Sequence, residues 1–92
     1  MIELEINRAY LSGREDGKNA WNLIKDNIDW STQNTIVLPD GLSYMTYSFF
    51  LGFTEEVRNR TDILDEVIKL KCSNEYIRSL VRIYTKCYKK KS

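Results

Sequence analysis

Thr35, Ile36, Val37 and Leu38 run directly into Pro39-Asp40-Gly41, which holds the only proline of the chain. No other stretch limits the fold so tightly. A short β-branched, apolar run reads as a strand covered on both faces. Proline has no N–H to donate to a ladder, so the strand stops at Leu38, and Asp-Gly supplies the chemistry of a turn. Beyond the turn, Met45, Phe49, Phe50, Phe53 and Val57 recur at helical spacing, while Glu55, Glu56, Arg58 and Arg60 are expected to face water. Ser43, Thr46 and Ser48 are each competent to cap this helix, and spacing does not choose among them. Gly52 costs about 1 kcal/mol in a helix interior, so it marks either a close backbone approach or a weak point. A strand that empties through a tight turn into a helix is the unit of α/β proteins, which place their binding surfaces at such junctions.

The flanking segments extend the same unit. Ile2, Leu4 and Ile6 alternate with Glu3, Glu5 and Asn7, the period-two pattern of a half-exposed edge strand. Ser12-Gly13-Arg14-Glu15 has the S-x-x-E spacing of a capping box. The helix it opens is expected to run to about Asn27, with Ala20, Trp21, Leu23, Ile24 and Ile28 inside. A polar loop from Trp30 to Asn34 follows. Ile68, Leu70 and Cys72 alternate with Lys69 and Lys71, which favours a strand. Ser73 or Asn74 then caps a last helix whose apolar stripe is Tyr76, Ile77, Leu80, Val81, Tyr84, Cys87 and Tyr88. The order βαβαβα predicts a single α/β domain over residues 1–92, with a mainly parallel sheet, packed helices and a basic tail at 89–92. Trp21, Ile36, Phe49, Phe53 and Leu80 are expected to share its core.

Composition narrows the function classes. No apolar run approaches about 18 residues and the first residues are acidic, so a soluble, cytoplasmic protein without membrane contact is expected. A domain of 92 residues lies near the stability margin, which makes a homo-oligomer unsurprising. The chain has no histidine, and Cys72 and Cys87 are in no metal-like spacing, so two reduced, buried thiols and no metal or cofactor are expected. Gly13-Arg14-Glu15-Asp16-Gly17-Lys18-Asn19 mimics a phosphate loop, yet it is one spacer residue short and has Asn19 where a hydroxyl is needed. No nucleophile has an evident base beside it, and an enzyme is not expected.

Charge is unevenly spread. Residues 1–68 hold six basic and twelve acidic side chains, and residues 69–92 hold eight basic and one acidic. Arg78, Arg82 and Lys86 recur every four residues and lead into Lys89, Lys90 and Lys91, a basic row that suits phosphates or an acidic protein surface. Most tyrosines fall on apolar faces, so stacking of unpaired bases is not expected. The acidic half would repel a polyanion, and a protein partner is favoured over nucleic acid.

Two segments together carry a resemblance. Leu11-Ser12-Gly13-Arg14-Glu15-Asp16-Gly17 opens the first helix, and Met45-Thr46-Tyr47-Ser48-Phe49-Phe50 opens the second. The pair resembles the STAS-like family, small bacterial and phage-associated domains similar to anti-sigma-factor antagonists. The resemblance implies a non-enzymatic interaction module that presents the Asp40-Gly41 loop and the second helix start. It also implies a hydroxyl phosphorylated by a kinase-like ATPase partner, with Ser48 the nearest match and Thr46 the next. The alternative is a phage- or prophage-type inhibitor or accessory protein that engages a nucleic-acid-handling complex through its charged surfaces.

Overall fold

The computed structural model describes residues 1–88 and repeats the strand–turn–helix unit along the chain. Its elements are β1 (Ile2–Glu3), β2 (Tyr10–Leu11), α1 (Arg14–Ile24), β3 (Asn34–Val37), β4 (Tyr44–Met45), α2 (Tyr47–Phe53), α3 (Glu55–Arg58), β5 (Ile68–Lys71) and α4 (Glu75–Lys86). The architecture is α/β. β1, β3 and β5 form a parallel sheet in that order, with Glu3, Val37 and Lys71 in one cross-strand row. β2 and β4 form a second, two-stranded parallel ladder in which Tyr10 pairs Tyr44 and Leu11 pairs Met45. Lys89, Lys90 and Lys91 lie outside the described residues.

Alternation along each strand sorts the main sheet into two faces. Leu4, Ile36, Leu38, Ile68 and Cys72 are buried on one. Glu3, Thr35, Val37, Lys69 and Lys71 lie on the other, and none of them is buried. The expectation of a central strand covered on both faces is therefore wrong. Both crossovers step in the same direction across the sheet, and right-handed connections then lay their helices on one side only.

The helical layer is built on a close crossing of α1 and α2. A Cβ on Gly17 would overlap the carbonyl oxygen of Phe49 and stand 2.7 Å from the nitrogen of Phe53. A Cβ on Gly52 would in turn overlap the carbonyl of Arg14. Gly52 thus marks a close approach and not a weak point. Around this crossing Trp21, Phe49, Phe53 and Ile36 are buried, whereas Leu80 is only partly buried against the cluster. Phe53 stacks on Phe49 at 6.0 Å and meets Trp21 edge-on at 5.7 Å.

Local patterns were overruled at several points. Gly13 has φ of 89°, a backbone conformation open to glycine, and serves as the N-cap of α1 with no side-chain cap. Starting the helix at Arg14 leaves Ser12 one residue too early and Glu15 one residue short, so the capping box does not form. Met45 belongs to β4 and not to the second helix. Arg58 does not face water: the break at Thr54 turns α3 so that the Arg58 guanidinium is buried and donates to the Leu51 carbonyl at 2.6 Å. Leu23 and Cys87 are exposed, because the core receives a narrower arc of α1 and of α4 than their apolar stripes span.

Candidate functional site

The parallel strands bring the N-termini of α1, α2 and α4 to one end of the molecule, the end where the strands finish. Thr46 fastens two of these starts together. Its Oγ1 accepts from the Phe49 amide at 3.1 Å, which caps α2, and from the Gly13 amide at 3.2 Å, which ties in the start of α1. The Thr46 amide in turn donates to the Leu11 carbonyl. Of the three candidate caps, the structure selects Thr46. Ser48 is exposed, with its Oγ 3.1 Å from that of Thr46. Its hydroxyl is accessible where that of Thr46 is committed to two amides.

The start of α4 joins the same end. Asn74 caps this helix by accepting from the Tyr76 and Ile77 amides, and its own side-chain N–H donates to the Leu42 carbonyl. Ser73 donates to Asp40 at 3.1 Å, which holds the Asp40-Gly41 turn against the helix start. Gly41 is exposed in open space. Arg14 extends to Glu55, 3.5 Å away, and Glu15 remains exposed.

Tyrosines cover this frame, a feature that helical and strand patterns did not reveal. In β2 and β4 the apolar partners Leu11 and Met45 are buried, so the alternating Tyr10 and Tyr44 point outward. Their rings lie 6.1 Å apart, and Tyr44 stacks at 6.4 Å on Tyr76 from the first turn of α4. Tyr10 is 65% exposed and Tyr76 55%. Tyr47 is 38% exposed and rests on Phe50 and on Tyr84. Along α4 the row continues through Leu80 to Ile83, itself 55% exposed, and to Cys87, all on one helix face with Tyr76. The expectation that most tyrosines fall on apolar faces is corrected here. The available signal was a repeated tyrosine–apolar pair, Tyr10-Leu11 and Tyr44-Met45, just ahead of two helix starts.

Tyr84 anchors the surface from below. Its hydroxyl donates to the Met45 carbonyl at 2.8 Å, and burial, with Tyr44 next, raises its pKa to about 12. Arg78, Arg82 and Lys86 are exposed but occupy the opposite flank of α4, away from the tyrosines. The structure therefore unites Ser12, Gly13, Thr46, Ser48, Asp40 and Gly41 at one end and leaves the basic row apart. Among the described residues, no cluster of three acidic or thiol ligands comes together, and no helix is long and apolar enough to cross a membrane.

Fold and surface together define a small parallel α/β domain with a preformed aromatic face at its strand ends. Comparisons with protein-family models, curated proteins and solved structures found no match for this chain.

Proposed function

We propose that this chain is a protein-binding module of the STAS-like kind, acting through the tyrosine surface around the start of α2. The observation that carries the reading is an aromatic surface in which exposed Tyr10 and Tyr76 flank the half-buried Tyr44, with Tyr47 and Ile83 also exposed. Tyrosines bring large contact area at low entropic cost, and aromatic residues concentrate where interfaces hold their energy. Exposed apolar surface of this kind on a small domain marks an interaction site. Ser48 lies beside Tyr47 and is the hydroxyl through which a kinase-like ATPase would act. A phosphate there adds about two negative charges beside the tyrosines, which opposes docking of an apolar partner.

The test is affinity capture with the parent chain and with a Tyr10→Ser, Tyr76→Ser, Ile83→Ser variant, whose altered side chains are all exposed. A partner retained by the parent and lost by the folded variant supports the reading. Equal retention by both proteins refutes it. Ser48→Asp is expected to weaken the same complex by about tenfold, while Ser48→Ala leaves it intact.

A further inference from the structure

The opposite flank of α4 forms a second surface of different chemistry. Between it and β5 lies a groove of about 330 Å³. Leu70 and Val81, both partly buried, make its apolar floor, backed by the buried Leu64 and Ile68. Lys69 from β5 and Arg78, Arg82 and Lys86 from successive turns of α4 stand around it, with Asp65 the one carboxylate in the lining. None of these four cations is in an ion pair among the described residues, although Arg8, Arg14, Lys18 and Arg60 all are. All four cations border one groove with an apolar floor, which concentrates positive potential there.

A polyanion would use only the rim. Nucleic acid gains nothing from an aliphatic floor, and no aromatic ring lines the groove on which a base could stack. A segment that carries both apolar side chains and carboxylates would use floor and rim together, the pairing of an apolar interface core with complementary charge around it. We propose that the α4–β5 groove binds an acidic amphipathic segment of a partner protein, with its apolar side chains on Leu70 and Val81 and its carboxylates on Arg78, Arg82 and Lys86. This site does not depend on the tyrosine surface across the helix, so either can fail alone.

The experiment titrates the isotope-labelled full chain with a short peptide that alternates leucine and glutamate, and follows its amide resonances. A serine–glutamate peptide, a leucine–lysine peptide and a single-stranded oligonucleotide of similar length serve as comparisons. The leucine–glutamate peptide is expected to shift the resonances of Leu70, Val81 and their neighbours. Affinity is expected to fall by about tenfold or more with the serine–glutamate peptide, and likewise in the Arg78→Glu, Arg82→Glu, Lys86→Glu variant. Should that variant lose its fold, Arg78→Gln with Arg82→Gln is read instead, with a smaller loss expected in the same direction. No shift at millimolar peptide overturns the proposal. So does equal binding of the serine–glutamate peptide, and so does an oligonucleotide that binds more tightly than the leucine–glutamate peptide.

Discussion

Thr46 does at one atom what a local capping motif was expected to do at another. Because its Oγ1 takes amides from two helix starts, Thr46→Ala removes a cap and unties α1 from α2. The expected loss is about 1–2 kcal/mol, with Thr46→Ser close to the parent, as read by chemical denaturation. Phe53 is buried between Phe49 and Trp21, and Phe53→Ala is expected to cost about 3–5 kcal/mol, enough to unfold much of a domain this size. Tyr84 and Tyr88 bear on pH. Burial raises both to about 12 from 10.0, and in Tyr88 this outweighs the lowering by Arg58. Both hydroxyls donate to backbone carbonyls, Tyr88 to that of Thr61 at 2.8 Å. A folded-state pKa above the unfolded value gives stability that is complete below pH 10 and is lost as pH rises toward 12. Thermal melts should accordingly fall across that window, and Tyr84→Phe with Tyr88→Phe should flatten the fall. A parent midpoint unchanged between those pH values would contradict the assignment.

At the scale of elements, the crossing of α1 and α2 sets the positions of both helix starts. Gly17→Ala and Gly52→Ala each place a methyl group against fixed backbone, where no side chain can rotate aside. Each is expected to destabilise the fold by about 3 kcal/mol, the upper part of the usual range for overpacking, and calorimetry of the two variants checks it. The sequence revealed some of this level and hid the rest, for identifiable reasons. Thr35–Leu38 and its proline stop were legible because β-branched residues and a missing N–H act locally. The last helix was legible from its period, yet its stripe includes Tyr76 and Cys87, which the core does not reach. Nothing near Gly17 announces that another backbone will pass over it. Strands of two residues, such as β2 and β4, are too short to display a period at all, so the ladder that turns Tyr10 and Tyr44 outward was not foreseen.

Over the whole molecule, the uneven charge of the sequence becomes a geometric pattern. β1 presents Glu3 at one edge of the open sheet face, and β5 presents Lys69 and Lys71 at the other. Arg78, Arg82 and Lys86 of α4 line the groove beside β5, so basic side chains gather on the β5 side of the sheet. On the proposed function, the contact at the tyrosine surface would be mostly apolar, and salt-sensitive contacts would fall to the groove. Both surfaces use α4, on opposite flanks. Under the proposed function a partner docks on the strand ends. Backbone hydrogen exchange of the chain, free and bound to the partner recovered by tyrosine-dependent capture, addresses it directly. Slowed exchange is expected over residues 10–14 and 44–50 and in the first turns of α4. Slowing confined to β1 and β5, with residues 10–14 and 44–50 exchanging as in the free chain, would contradict it.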